Sequence, residues 1–236
     1  MRLFELAYGC RLYGQLDDYD RSLRRFRTKV APVLDPYDTA HRAALFTWLN
    51  AWTCRQFTKE HHATIASDSL IRWANAWLGS LPAHHVELTE LSKSEIVACA
   101  AAYDALRTRQ AGLRRLARGR ASSVTYGPTG AAKALFALRP NVFPPWDDPI
   151  RGYFRYGPDA ASFGAYLTTV AGLLREISAE AGVPVSALPS LVGRPDSSPP
   201  KLIDEYNWVT VTKRRPIPPA EALEDWARLA GLARRP

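Results

Sequence analysis

Two neighbouring stretches contain residue types that could do chemistry. The first is a glycine turn, residues 127–130, which comes directly before an apolar helical pattern. A helix that starts after such a turn presents backbone N–H groups at the positive end of its dipole, and these groups bind phosphate without any particular side chain. The second is an acidic pair, Asp147 and Asp148, directly before Pro149. A carboxylate there could stabilise a developing positive charge or activate a water molecule.

Both stretches also have an ordinary structural interpretation. Pro149 disfavours a helical backbone at Asp148 and suits the first helical turn, so either aspartate can be a helix N-cap. A glycine turn before a helix is often only a turn. The helix after the turn is predicted from apolar residues at helical spacing, and Pro140 ends it near Arg139. Those apolar residues are Ala131, Ala134, Leu135 and Leu138.

The order and separation of the two stretches resemble the helix-hairpin-helix DNA glycosylases, the superfamily that includes endonuclease III and the adenine-mismatch glycosylases. Their hairpin has the form L-P-G-x-G-x-x-T-A, and residues 123–131 align with it without a gap. Their aspartate follows in a context like F-P-h-h-D-x-x-h-(K/R), where h is apolar, and residues 143–151 fit that context. The resemblance makes Asp147 the catalytic carboxylate.

The resemblance implies a mainly α, two-lobed helical fold with the active cleft between the lobes. One lobe would comprise residues 38–140 and end in the helix-hairpin-helix, and the other would combine residues 1–37 with 141–236. The implied activity is hydrolysis of the N-glycosidic bond of a flipped, damaged or modified base in double-stranded DNA, which leaves an abasic site. Thr129 stands where bifunctional members carry a Schiff-base lysine, so we expect no lyase activity.

The hairpin departs from the family pattern at positions that include Val124, Thr125 and Gly130. These departures suggest a specialised branch, and we weigh ordinary base-excision repair against antiviral defence, in which the base would be a modified one in phage DNA. Two other functions stay open. One is a non-catalytic DNA-binding module that keeps the hairpin without the chemistry. The other is a nuclease or lyase in which Asp147 and Asp148 bind a metal ion.

The same resemblance assigns residues to the DNA contact and to the base pocket. The residues assigned to the DNA backbone contact are Thr125, Tyr126, Gly127, Thr129, Gly130, Lys133 and Arg151. Those assigned to the base pocket are Trp48, Asn50, Trp52, Trp146 and Tyr153. The side chain that fills the gap in the duplex would come from an early helix, with Asn50, Trp52, Arg55 and Gln56 as candidates. The alternative is that Trp48 and Trp52 are both core residues.

Composition favours an anionic partner. The formal net charge is +8, and arginine, which suits phosphate contacts, dominates the basic residues. This balance points to nucleic acid before a membrane surface. The arginine-rich run at residues 107–120 leads directly into the glycine turn. It is interpreted either as a DNA contact or as a solvated face of the helix that precedes the turn.

Cysteine usage indicates a reduced, intracellular protein without an iron–sulfur cluster. Cys10, Cys54 and Cys99 are scattered, whereas cluster-bearing relatives of endonuclease III use four closely spaced C-terminal cysteines. Adjacent histidines at 61–62 and 84–85 do not have metal-ligand spacing, so no metal or cofactor is expected. A rival carboxylate pair, Asp204 and Glu205, is interpreted as surface or hydrogen-bonding groups.

The sequence was searched for segments that would direct the chain to a membrane or out of the cell. Neither a secretory signal nor an apolar run long enough for a membrane span is found. We therefore expect a cytoplasmic monomer that associates with the nucleoid when it binds DNA.

Helix starts are predicted at Asp38, at Ser92 with its capping-box partner Glu95, and at Asp159.

Overall fold

A computed structural model of the protein describes residues 1–16, 19–57, 59–115 and 120–229. The chain is mainly helical, as the sequence predicted. The helices are α1 (Leu3–Leu16), α2 (Tyr19–Lys29), α3 (Thr39–Ala51), α4 (Lys59–His61), α5 (Ser67–Trp77), α6 (Lys93–Arg107), α7 (Gly127–Leu138), α8 (Asp148–Phe154), α9 (Ala160–Ala181), α10 (Leu188–Leu191), α11 (Pro199–Asn207) and α12 (Ala220–Leu229). Two π-helical turns, His62–Ala66 and Trp208–Thr212, precede α5 and follow α11. Short 3-10 turns lie at Leu78–Ser80, Leu88–Glu90 and Val185–Ala187.

Side-chain caps fix three helix starts where the sequence placed them. The Asp38 carboxylate accepts hydrogen bonds from the first-turn backbone of α3. Ser92 and Glu95 form a reciprocal capping box at the start of α6. Asp159 accepts from the backbone N–H of Ser162 at the start of α9. These local predictions are confirmed because each depends only on residues within one helical turn.

Buried side chains from both predicted lobes form one continuous core. Helix α6 packs against α7 and α9. The rings of Tyr103 on α6 and Phe163 on α9 stack at 3.9 Å between centroids. The ring of Trp146 stacks on that of Tyr166, which also lies on α9, with 5.3 Å between the ring centroids. Residues 142–146 are all buried, so the chain that leads to Asp147 is anchored in this core.

The residues before the glycine turn, which the resemblance aligned with the start of the hairpin, form a strand. An antiparallel ribbon is made by β1 (Gln110–Arg115) and β2 (Ala121–Thr125), with Leu113 opposite Ser123. The β-branched pair Val124-Thr125 favours this extended backbone. The motif is therefore strand, turn and helix. Helix α6 ends before most of the arginine-rich run, and residues 116–119 of that run lie outside the described residues.

No helix in the described part of the chain is both long enough and apolar enough to cross a membrane.

Candidate active site

A cleft of about 840 Å³ brings the two predicted stretches together. One wall contains the first turn of α7, with Gly127 and Thr129. Another contains the acidic pair at the start of α8, Asp147 and Asp148. The ribbon β1–β2, the turn after α3, helix α11 and the π-helical turn Trp208–Thr212 also contribute lining residues.

Asp147 is both an N-cap and a carboxylate of the cleft. Its Oδ1 accepts the backbone N–H of Ile150 at 3.0 Å and so caps α8. Its Oδ2 accepts the hydroxyl hydrogen of Thr212 at 3.2 Å. The side chain is half-buried and lines the cleft. The two hydrogen bonds fix the orientation of the carboxylate, and the structural and functional interpretations of this residue are compatible.

Arg151 connects the acidic pair to the glycine turn. Its guanidinium forms an ion pair with the exposed Asp148. It also donates to the Thr129 hydroxyl oxygen at 3.4 Å and lies 5.4 Å from the centre of the Trp146 ring. Burial lowers the pKa of Arg151, an effect that Tyr103 and Asp147 oppose. Asp148 is thus the counter-ion of a cation that reaches across the cleft.

The glycines of the turn have steric reasons to be glycine. Gly127 has a φ of +67°, a backbone region that disfavours other residues. At Gly130 a Cβ would lie 2.5 Å from Nε2 of Gln56 and 3.1 Å from the Phe57 ring. Gln56 itself donates to the Tyr126 carbonyl oxygen at 2.6 Å, which holds the turn against the segment after α3.

The start of α7 has the features of an anion site. The first four N–H groups of a helix have no partner within the helix. In α7 these are the N–H groups of Gly127, Thr129 and Gly130, because Pro128 has none, and the side chain at the N-cap position, Tyr126, does not cap them. Gly127, Pro128 and Thr129 line the cleft, so a phosphate in the cleft could approach this positive helix end.

Five of the seven predicted DNA-contact residues line the cleft, and two do not. Those at the cleft are Thr125, Gly127, Thr129, Lys133 and Arg151. Tyr126 is buried and donates its hydroxyl hydrogen to the Ala66 carbonyl oxygen at 2.7 Å. Gly130 is packed against Gln56. The assignment of Tyr126 to the DNA contact is corrected, because its ring is buried and its backbone N–H donates to the Arg109 carbonyl oxygen at 2.8 Å.

Lys133 has a different environment from the one the sequence suggested. Its side chain is only 9% exposed, and Nζ donates to the Trp52 carbonyl oxygen at 2.8 Å. The ammonium also lies 5.4 Å from the centre of the Trp52 ring. Lys133 therefore holds the end of α3 and contributes positive charge to the cleft from within its wall.

Two of the five predicted base-pocket residues line the cleft, namely Trp52 and Trp146. Trp48 does not, because it is buried and stacked on Phe26 at 4.9 Å. The alternative that both Trp48 and Trp52 are core residues is confirmed, because both belong to the buried core. Trp52, one helical turn later, is also largely buried but contributes to the cleft wall.

Asn50 and Tyr153 are likewise removed from the predicted pocket. The Asn50 amide donates to the Phe57 carbonyl oxygen within the turn after α3. Tyr153 is 66% exposed and packs edge-on against Phe154, away from the cleft lining. Helical spacing identified the face of α3 but could not tell which of its residues meet the core and which meet the cleft.

Several cleft residues were not predicted from the sequence. Tyr13 and Tyr19 come from the N-terminal helices, and Trp208 and Thr212 come from the π-helical turn. The Tyr13 and Trp208 rings meet edge-on at 5.2 Å. The available signal was the pattern of polar residues within the apolar segment 201–212, but nothing local connects it to residues nearly 200 positions earlier.

Asp204 is a third carboxylate of the cleft, after Asp147 and Asp148. It is buried at the cleft wall, and its Oδ2 accepts a hydrogen bond from Lys201 Nζ at 2.7 Å. Burial raises the pKa of Asp204; Lys201 opposes the rise and Asp147 adds to it. Burial acts to lower the pKa of Lys201, but Asp204, Tyr13 and Glu205 raise it above the usual value.

Glu205 differs from its neighbour because its charge is satisfied away from the cleft lining. Arg194 donates to both of its carboxylate oxygens at 3.0 Å, and Ser197 donates to one of them at 2.8 Å. The expectation that Asp204 and Glu205 lie at the surface was wrong, whereas their assignment as hydrogen-bonding groups is confirmed.

The described residues contain no group of three or more His, Cys, Asp or Glu arranged to hold a metal ion. The cysteines are free and buried. Burial raises the pKa of the Cys99 thiol to about 12.

No protein-family model, curated protein or solved structure matches the chain. The resemblance of residues 123–151 to the helix-hairpin-helix glycosylases therefore depends on the motif residues alone.

Proposed function

We propose that the protein is a monofunctional DNA glycosylase whose catalytic group is Asp147. The observation that carries this proposal is the meeting of two features in one cleft. The uncapped first turn of α7 provides an anion site, and the Asp147 carboxylate stands in the adjoining wall. Arg151 bridges them through Thr129. A DNA strand held at the turn would have a deoxyribose next to the carboxylate.

The charge of the cleft rim supports a polyanionic ligand. Arg55, Arg114 and Lys213 are exposed and line the cleft. They come from the turn after α3, from β1 and from the end of the π-helical turn, so positive charge surrounds the opening. Such cations bind phosphates and release counterions, which strengthens binding without choosing a sequence.

The chemistry needs one ionised carboxylate. The bond between the base nitrogen and C1′ of the sugar breaks, and its electron pair leaves with the base. The sugar acquires the positive charge of an oxocarbenium-like state, which Asp147 stabilises electrostatically. A water molecule then forms the new C1′–O bond and loses a proton to the carboxylate or to solvent. The departing base takes up a proton from solvent, and the products are a free base and an abasic site.

Base extrusion has a candidate wedge on the ribbon. Leu113 is 41% exposed, lines the cleft and is followed by Arg114. Apolar side chains presented among cations can insert between base pairs and open the stack. We assign Leu113 to this role, for which the sequence had offered no candidate.

Arg55 is the candidate for the side chain that fills the gap left by the flipped base. Among the four residues suggested by the sequence, Asn50 and Gln56 donate to backbone carbonyls within the fold. Trp52 donates through its indole to the Ser22 hydroxyl oxygen at 2.9 Å. Arg55 is exposed at the cleft, where its guanidinium could stack or hydrogen bond inside the duplex.

The direct test is mass spectrometry of free bases released from a panel of natural and modified double-stranded DNAs. Release of one base, with alkali-labile abasic sites and without strand cleavage before alkali, is the expected result. DNA binding without release from any member of the panel would favour the non-catalytic binding module. Strand cleavage abolished by EDTA would favour the metal-dependent nuclease.

Two biological roles are compared, namely DNA repair and defence against phages with modified DNA. We propose defence as the role to test first, because the hairpin departs from the family pattern at Val124, Thr125 and Gly130. Cells that carry the gene should reduce plating of a phage with modified bases more than plating of its unmodified counterpart. Equal plating of the two phages would favour repair.

A further inference from the structure

Four aromatic side chains from different parts of the chain converge on one end of the cleft. Tyr13, Tyr19, Trp52 and Trp208 all line it. Tyr19 lies 5.8 Å from Trp52 and 5.9 Å from Trp208 between ring centroids. Tyr13 completes the group through its edge contact with Trp208. Aromatic faces stack on any nucleobase and hold it after it leaves the duplex.

A buried ion pair lies beside these aromatic walls. Lys201 is 1% exposed, and its ammonium lies 4.2 Å from the centre of the Tyr13 ring and 5.3 Å from that of Trp52. The ammonium binds Asp204, which lines the cleft, at 2.7 Å. Lys201 itself is not part of the cleft lining. The carboxylate is therefore the member of this pair that a ligand meets.

Asp204 retains capacity to accept further hydrogen bonds. An ionised carboxylate has about four lone-pair sites, and the ammonium of Lys201 uses one of them. Glu205, 3.9 Å from the same ammonium, is already bound by Arg194 and Ser197. The pair thus presents an oriented acceptor next to a stacking surface, and a carboxylate offers no donor to a carbonyl oxygen.

We propose that this aromatic end of the cleft is a base pocket in which Asp204 accepts a hydrogen bond from an exocyclic amino group. The pocket would then prefer bases of the cytosine or adenine type over their keto counterparts of the uracil or hypoxanthine type. Carboxylate side chains accept in this way from the cytosine amino group. The inference rests on the proposed function, since it requires a flipped base.

Binding can be measured without catalysis in the Asp147→Asn protein. The probes are duplexes with one mismatched cytosine, uracil, adenine or hypoxanthine at the same position. Cytosine should bind roughly tenfold more tightly than uracil, and adenine than hypoxanthine, as expected for one hydrogen bond to a charged acceptor. The ratios should fall to about one when Asp204→Asn is added, because the amide serves both types of base. The free-energy cost of opening a given mismatch is the same with and without the added Asp204→Asn substitution. The change in the affinity ratio therefore measures the contribution of Asp204.

Two further variants distinguish the loss of the Asp204 hydrogen bond from misfolding. Asp204→Asn leaves the Lys201 ammonium without its nearest carboxylate, which can destabilise the fold. Asp204→Asn combined with Lys201→Met removes both charges and should lose the same preference. Tyr19→Leu removes a wall and should weaken binding of all four probes by a similar factor without changing the ratios.

The outcomes separate this inference from the proposed function. Ratios that persist in a folded Asp204→Asn protein, or in the double variant, would overturn the role of Asp204. The affinity ratios could depend on Asp204 while the wild-type protein releases no base. That result would support the base pocket and contradict the proposed glycosylase activity.

Discussion

The hydroxyl of Thr212 donates a hydrogen bond to Oδ2 of Asp147 at 3.2 Å. The donor stands on a π-helical turn and the acceptor caps a different helix, α8. π-Helical turns are uncommon and often occur at functional sites. Here the turn brings Thr212, Trp208 and the basic Lys213 to the cleft, and it gives the carboxylate a partner that no neighbouring residue in the sequence provides.

We predict that Thr212→Val lowers kcat of base release by roughly tenfold while KM changes little, because the lost hydrogen bond orients the carboxylate and does not bind the DNA. Single-turnover and steady-state kinetics on the same duplex measure the two quantities. Thr212→Ser keeps the hydroxyl and should recover most of the rate. A serine variant as slow as the valine variant would show that the effect is one of packing.

We predict that Leu113→Ala reduces the rate of base extrusion and release by roughly tenfold, since the smaller side chain cannot hold the stack open. Fluorescence of a 2-aminopurine placed beside the target base reports the opening step. Val97→Ala serves as the control because Val97 is an exposed apolar residue on α6 and does not line the cleft. Equal effects of the two substitutions would remove Leu113 from the mechanism.

We predict that each of Arg55→Ala, Arg114→Ala and Lys213→Ala reduces the salt dependence of DNA binding. The slope of log K against log salt should become shallower by about one for each phosphate that the variant no longer neutralises. Binding titrations between low and moderate salt measure this slope. Arg228→Ala is a matched control, because Arg228 is exposed on α12 and pairs with Asp225. An unchanged slope in all three variants would place the DNA elsewhere.

We predict that Gly130→Ala destabilises the protein by about 1–3 kcal/mol, because the added methyl would overlap Gln56 and press on the Phe57 ring. Gly172→Ala is the control. It lies within α9 with open space at the Cβ position, so the alanine should stabilise the helix by up to about 1 kcal/mol. Denaturant unfolding compares the two. A neutral Gly130→Ala would show that the turn can shift away from the segment after α3.

Local sequence signals predicted the elements whose causes are local. The caps at Asp38, Ser92 and Asp159 involve residues a few positions apart, and all three are present. Pro149 placed either Asp147 or Asp148 at a helix N-terminus, and Asp147 is the observed N-cap. The strand β2 was missed because the family resemblance assigned residues 123–131 to the hairpin, although Val124 and Thr125 favour a strand.

Long-range neighbours could not be predicted in the same way. Trp48 and Trp52 occupy equivalent positions on successive turns near the end of α3, yet one stacks on Phe26 and the other joins the cleft. Tyr13 and Trp208 meet only because α1 packs against α11 and the turn that follows it. Such contacts depend on the packing of the whole chain, and no spacing rule within one segment contains them.

Formation of abasic sites by Asp147→Asn and Asp148→Asn proteins on one duplex tests the central claim most directly. The two residues are adjacent, but Asp147 is fixed in the cleft by Ile150 and Thr212 whereas Asp148 is an exposed partner of Arg151. We expect Asp147→Asn to lose at least roughly a hundredfold in single-turnover rate with DNA binding retained, in line with the loss of one electrostatic group in a transition state. Asp148→Asn should stay within about tenfold of wild type, as expected for a screened surface pair. An Asp147→Asn protein that releases the base at the wild-type rate would contradict the assignment of Asp147 as the catalytic carboxylate.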